Sequence, residues 1–125
     1  MTERAATLKL VYKSVKGRAP FALEEFVQIL STWEVVPLYE NGQIIGGVLA
    51  KENELHVGYG EKPKASIRLH IKKTLGAILD KYGFAVTTVQ ADNLAGLRFC
   101  ERLGFVKLGE ENGTIRLRCD RSNYS

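Results

Sequence analysis

The chain has 125 residues, 45% of them hydrophobic, and carries a net charge of +4 with a pI near 9.1. That length and apolar fraction suit one domain over residues 1–125 with one core, and no stretch reaches the roughly 18–20 consecutive apolar residues that a membrane span needs. Cys100 and Cys119 fall where apolar residues are expected, no Cys or His spacing resembles a metal site, and the N-terminus lacks the plan of a secretory signal. The reading is a reduced cytoplasmic protein, with a disulfide between the two cysteines as the alternative.

Residues 7–14 alternate Leu8, Leu10 and Tyr12 with lysines, which predicts a half-buried first strand. Pro20 suits the first position of a helix, and Glu24 and Glu25 fall in its first turns, where the helix dipole favours acids. Leu23, Phe26, Val27 and Leu30 follow the helical period and are expected to face the core. Two strands, 34–40 and 43–51, flank Asn41-Gly42, a pair that accepts the positive φ values of a tight hairpin. Pro37 marks the first of them as an edge or a bulge. A further strand over 54–59 runs out into Gly60-Glu61-Lys62-Pro63.

The longest helix is predicted over about 64–82, with Ile67, Ile71, Leu75, Ile78, Leu79 and Tyr82 along one stripe and Gly83 as its stop. Lys62, Lys64, Arg68, Lys72 and Lys73 gather at its start. Such a cluster attracts phosphate, whether a cofactor's or a nucleic acid's, or else forms a solvated helix face. A buried strand over 85–91 follows, then a helix, then strands over 106–108 and 114–119 joined through Asn112-Gly113. In the last strand Ile115, Leu117 and Cys119 point one way, and Arg116 and Arg118 the other.

The most informative segment is Asn93-Leu-Ala-Gly-Leu-Arg-Phe-Cys-Glu-Arg-Leu-Gly-Phe105. Asn93 can cap a helix N-terminus and Gly104 can take the left-handed conformation that ends it. Leu94, Leu97 and Leu103, with Phe99 or Cys100, supply the predicted buried face. The segment resembles the signature of the GNAT superfamily of acyl-CoA N-acyltransferases, in which an asparagine opens a helix ending in Leu-Gly-Phe. Asn93, Leu103, Gly104 and Phe105 carry the match. The order of elements is similar too, with one helix where that family usually has two between its first two strands. The implied fold is α+β: a GNAT-like mixed, mostly antiparallel sheet of about seven strands flanked by helices.

The resemblance implies an N-acetyltransferase that moves an acetyl group from acetyl-CoA to a primary amine by direct transfer. A strand running through a loop into a helix presents free backbone N–H groups and a positive dipole end, here over residues 60–67. GNAT enzymes hold the cofactor's pyrophosphate at that place through an arginine and two spaced glycines. Here Lys62 stands for the arginine, and Ala65 and Ile67 stand for the glycines, with Lys64 and Ser66 beside them. Backbone groups of Val57, Gly58 and Tyr59 would bond the pantetheine arm and the thioester carbonyl, and Asn93 the pantetheine. The cofactor would lie between the strand ending at Tyr59 and the strand over 85–91.

Transfer needs a neutral amine, whereas a lysine amine with a pKa near 10.4 is mostly protonated at pH 7. Glu54 and His56 are the candidate bases, with Glu52 third. The position seven residues after the asparagine, where the family often has a proton-donating tyrosine, is Cys100. Tyr59 is another candidate donor, and His70 reads as a surface residue. The missing tyrosine and loop glycines favour a second reading, an inactive GNAT-fold binding or structural protein similar to short bacteriophage GNAT-like proteins. A nucleic-acid binder built on the basic helix is the third, although no recognised motif supports it. The acceptor is an unidentified amine, a small molecule or a protein lysine. An open front end leaves room for a second subunit, as in a homodimer, to complete the site.

Overall fold

The computed structural model describes residues 2–15, 21–60 and 68–123. Its elements run α1 (Glu3–Val15), α2 (Leu23–Ile29), β1 (Glu34–Glu40), β2 (Gln43–Lys51), β3 (Glu54–Tyr59), α3 (Arg68–Tyr82), β4 (Phe84–Gln90), α4 (Leu94–Leu103), β5 (Val106–Glu111) and β6 (Thr114–Asp120), with a closing 3₁₀ turn. The strands form one six-stranded sheet in the order β1-β2-β3-β4-β6-β5. The β1–β2, β4–β6 and β5–β6 pairs are antiparallel, and β3–β4 is parallel. The chain divides into two compact units, Met1–Lys51 with His56–His70, and Glu52–Leu55 with Ile71–Ser125.

In the first unit, the expected strand over 7–14 is the helix α1. Its buried residues are Thr7, Leu8 and Val11, and Arg4 and Val15 are half-buried, a spacing of three and four rather than two. Thr7 tolerates complete burial because its hydroxyl donates to the Glu3 carbonyl at 2.7 Å. Thr2 caps the helix, its Oγ1 accepting from Ala5 N at 3.0 Å. Two helices therefore precede the first described strand, and the sheet has six strands rather than seven.

α1 packs on β1 and β2 and against α2. Its close approach depends on missing side chains. A Cβ on Gly47 would collide with the Thr7 methyl, and one on Gly58 would lie 2.9 Å from Val11 Cγ1 and 2.7 Å from Ser14 Oγ. Leu8, Val11, Phe26, Leu30 and Leu49 form the core beside this contact. The Tyr12 and Phe21 rings lie 5.4 Å and 6.0 Å from that of Phe26, and the Tyr12 hydroxyl donates to the Phe21 carbonyl at 2.9 Å. Val27, expected inside, is 39% exposed, because the short helix α2 turns only Phe26 and the following Leu30 fully inward.

The Arg4 guanidinium donates to the carbonyls of Leu30 at 2.7 Å and Trp33 at 2.9 Å, closing the C-terminal end of α2 where carbonyls lack helical partners. The Asn41-Gly42 turn has the expected positive φ values of 52° and 77°. β1 is an edge strand with a register shift between Leu38 and Tyr39, next to Pro37.

In the second unit, α3 buries Ile71, Leu75, Ile78 and Leu79. Tyr82, in the last helical position, is exposed, and its ring carries the Lys81 ammonium at 5.3 Å instead of entering the core. Ile67 and the expected start of the helix at 64 lie outside the described residues. Gly83 stops the helix with φ +86°. β4 buries Ala85 and Thr87, and β6 buries Ile115, Leu117 and Cys119, the alternation expected of strands with one inward face. Asn112-Gly113 turns β5 into β6, and β5 extends to Glu111, further than the expected 106–108.

Candidate active site

Three stretches were expected to carry chemistry: β3 with its exit, the loop over 60–67, and the helix opened by Asn93. Lys62, Lys64, Ala65, Ser66 and Ile67 lie outside the described residues. Val57 is exposed, Gly58 is buried beneath α1 and Tyr59 is half-buried. Gly60 N donates to Ile45 O at 2.9 Å, which fixes where the chain leaves the first unit's sheet. Of the basic cluster, Arg68 and Lys72 are half-buried, Lys73 is exposed, and His70 is exposed as expected.

Asn93 caps α4, as expected. Its Oδ1 accepts from Gly96 N at 3.0 Å, and its carbonyl accepts from Leu97 N at 3.1 Å. The cap occupies one acceptor position of Oδ1, and the Nδ2 hydrogens are the side chain's donors. The far end of α4 closes as a Schellman motif. Gly104, with φ 106°, donates to Glu101 O at 3.0 Å, and Phe105 N donates to Cys100 O at 3.0 Å. Leu103 and Phe105 are buried, whereas Leu97, Phe99 and Cys100 are half-buried. Leu94, expected on the buried face, is 61% exposed, because it occupies the first position after the cap, before the inward stripe begins.

Glu54 and His56 share a face of β3, two residues apart, but their surroundings differ. The His56 ring lies 5.8 Å from the Trp33 indole in the first unit. Glu54 belongs to the second unit, opposite Val86 of β4, where Val86 N donates to Asn53 O at 2.8 Å. There Glu54 borders an open hollow of about 270 Å³, together with Val86, Thr87, Thr88, Leu108, Arg116 and Leu117. Sequence reading missed this hollow and Arg116's place in it. The available signal was the outward register of Arg116, which only the pairing of β4, β5 and β6 turns into a location. Glu52, the third candidate base, sits exposed in the β2–β3 turn at φ +53°.

Cys100 and Cys119 are both free thiols. Burial, and to a lesser degree the neighbouring Glu101 carboxylate, pushes the Cys100 thiol up to about 11. Burial followed by Asp120 raises Cys119 as well, and its Sγ–H lies 3.9 Å from Leu103 O. Among the described residues, no group of His, Cys, Asp and Glu could hold a metal ion, and no helix is long and apolar enough to cross a membrane.

Neither a protein-family model nor a curated protein sequence matches the chain. Its structure, by contrast, has clear counterparts. It is similar to a ribosomal-protein-alanine N-acetyltransferase from Brucella melitensis, with a TM-score of 0.71 and 15% identity over 96% of each chain. A GNAT family acetyltransferase from Elizabethkingia anophelis, with acetyl-CoA bound, gives 0.64 and 17% over 90% of this chain and 88% of that one. A mutant of spermidine N-acetyltransferase SpeG from Vibrio cholerae gives 0.72 and 16% over 96% and 93%. The chain has the GNAT acetyltransferase fold, and at these identities the likeness defines the fold alone.

Proposed function

We propose that residues 1–125 act as one acyltransferase domain that moves an acetyl group from acetyl-CoA to a primary amine. The observation that carries this reading is the fold itself, matched over nearly the whole chain to acetyltransferases, one of them holding acetyl-CoA. The Asn93-capped, Gly104-closed helix supports it independently, since those residues carried the sequence resemblance.

In this reading, backbone groups of Val57, Gly58 and Tyr59 receive the pantetheine arm and polarise the thioester carbonyl, stabilising the oxyanion that forms on attack. The loop with Lys62, Lys64, Ala65, Ser66 and Ile67 holds the pyrophosphate, and Asn93 donates through Nδ2 to a pantetheine carbonyl. Glu54, bordering the hollow, takes a proton from the acceptor ammonium, directly or through water, while His56 is held against Trp33 as a supporting residue. The neutral nitrogen attacks the thioester carbon. An N–C bond forms, the C–S bond breaks, and the nitrogen's surplus proton passes to the departing thiolate, giving an amide and the CoA thiol.

Cys100 is poorly suited to supply that last proton. A thiol near 11 is a far weaker acid than an ordinary thiol near 8.5, so giving its proton to a CoA thiolate runs uphill. Its role in this reading is packing, and Tyr59 or water supplies the proton instead. The same observation favours a second reading, a GNAT-fold protein without turnover, as in short bacteriophage GNAT-like proteins. Release of CoA thiol from acetyl-CoA in the presence of an amine panel separates the two. Amine-dependent release above the hydrolytic background supports the enzyme, and background release alone supports the inactive protein.

A further inference from the structure

The open hollow in the second unit has a charge pattern that speaks to the acceptor. Its lining is apolar at Val86 and Leu108, and Glu54 and Arg116 stand at its border. Arg116 is paired across the sheet with Thr88 of β4 and Gly109 of β5. A Cβ on Gly109 would lie only 3.2 Å from Arg116 Nη2, so the glycine leaves the guanidinium its place over β5.

Arg118, two residues on and facing the same way, shows what an occupied arginine looks like on this surface. Its Nε and Nη2 donate to Asp120 Oδ1 at 2.9 Å and 2.8 Å, and its guanidinium stacks 3.9 Å from the Phe84 ring centre. Among the described residues, no carboxylate pairs with Arg116.

Register gives the span. Glu54 lies opposite Val86 and Arg116 opposite Thr88, two residues along β4 and two strands apart. That puts their Cα atoms roughly 12 Å from each other, at ordinary strand spacings. A span of that length between a carboxylate and a guanidinium suits a short ligand. A hollow of about 270 Å³ is also below the roughly 300–1,000 Å³ typical of drug-sized ligands.

We propose that the acceptor is a small amine carrying an anionic group, of which an apolar amino acid is the simplest case. This inference rests on the acetyltransferase reading. The ammonium faces Glu54, which deprotonates it. The planar fork of Arg116 receives the anion in the bidentate manner suited to a carboxylate or a phosphate, and the carbon chain lies on Val86 and Leu108. A polyamine fits poorly, because its second ammonium would meet Arg116.

The test compares L-leucine, L-leucinamide, 3-methylbutylamine, O-phosphoethanolamine and spermidine as acceptors for the parent protein and Arg116→Gln. Thermal shift with acetyl-CoA is measured on both proteins. The expected result is a higher kcat/KM for leucine or phosphoethanolamine than for the uncharged-tail amines and spermidine. Whichever of the two acids is better identifies the anion as carboxylate or phosphate. In Arg116→Gln, kcat/KM for that acid falls roughly tenfold to hundredfold, as the loss of a charge-assisted contact predicts. Values for leucinamide and 3-methylbutylamine change less than about twofold, and the acetyl-CoA shift is preserved. Equal or better use of leucinamide, 3-methylbutylamine or spermidine by the parent overturns the inference, as does an acid preference that survives in Arg116→Gln. An acetyl-CoA shift with no turnover of either acid overturns it while leaving the cofactor site standing. No acetyl-CoA shift in the parent overturns the acetyltransferase reading and this inference with it.

Discussion

Asn93 has a role in the fold, the cap of α4, and a second one in the proposed function, and substitution can separate the two. Its Oδ1 holds Gly96 N, and in the proposed function its Nδ2 donates to the cofactor. Asn93→Asp keeps an equally good cap, and a negative charge suits a helix N-terminus. It removes the donor. We expect Asn93→Asp to leave the unfolding temperature within a degree or two of the parent and to weaken acetyl-CoA binding about fivefold to tenfold by titration calorimetry, the size of one hydrogen bond. Unchanged affinity would confine Asn93 to capping. Glu54→Gln should lower kcat by roughly 10²–10⁴ while acetyl-CoA affinity holds. A parent-like rate would move the base elsewhere.

Cys100 yields a prediction about pH. Its folded pKa, about 11, lies above that of the unfolded chain, so the folded state holds this proton more tightly. The stability linked to it is complete below the unfolded value near 8.5 and is lost as pH rises through about 11. Between those limits, stability of the parent should fall by roughly 3 kcal/mol more than that of Cys100→Ala, read from urea midpoints. Parallel pH curves would mean the thiol is not desolvated. At neutral pH, Cys100→Ala should leave the amine-dependent rate unchanged.

At the scale of elements, legibility depended on whether the signal was local. Asn41-Gly42 and Asn112-Gly113 named both hairpins because positive φ is a property of the residues themselves. The α4 caps were readable for the same reason. The segment at α1 was not. Leu8, Leu10 and Tyr12 alternate with lysines, but Thr7, Leu8 and Val11 are the residues buried, and Thr7 is apolar only after its hydroxyl is paired within the helix. The deciding partners, Gly47 and Gly58, stand some 40 and 50 positions away by sequence number, where they clear the surface that α1 lies on. Gly47→Ala tests that contact. The new methyl meets Thr7 and sits 3.1 Å from the Val36 carbonyl, so we expect a loss of about 1–3 kcal/mol with an unchanged denaturant m-value. A neutral substitution would show that α1 can shift at no cost.

For the whole molecule, the strand order and the parallel step from β3 to β4 follow from connections that the sequence pattern could indicate but not fix. Of the candidate site, the helix capped by Asn93 and the strand that carries Glu54 were readable. The hollow with Arg116 was not, because β3, β4, β5 and β6 all contribute to it. The central claim is a working acetyl-CoA site despite Lys62, Ala65 and Ile67 standing where the family has an arginine and glycines. Thermal unfolding with acetyl-CoA, CoA and ATP tests it most directly. A ligand that binds only the folded chain at 100 times its Kd adds about 2.7 kcal/mol, a shift of several degrees for a domain of this size. The account predicts that acetyl-CoA and CoA raise the unfolding temperature and ATP does not. No shift with millimolar acetyl-CoA would contradict it.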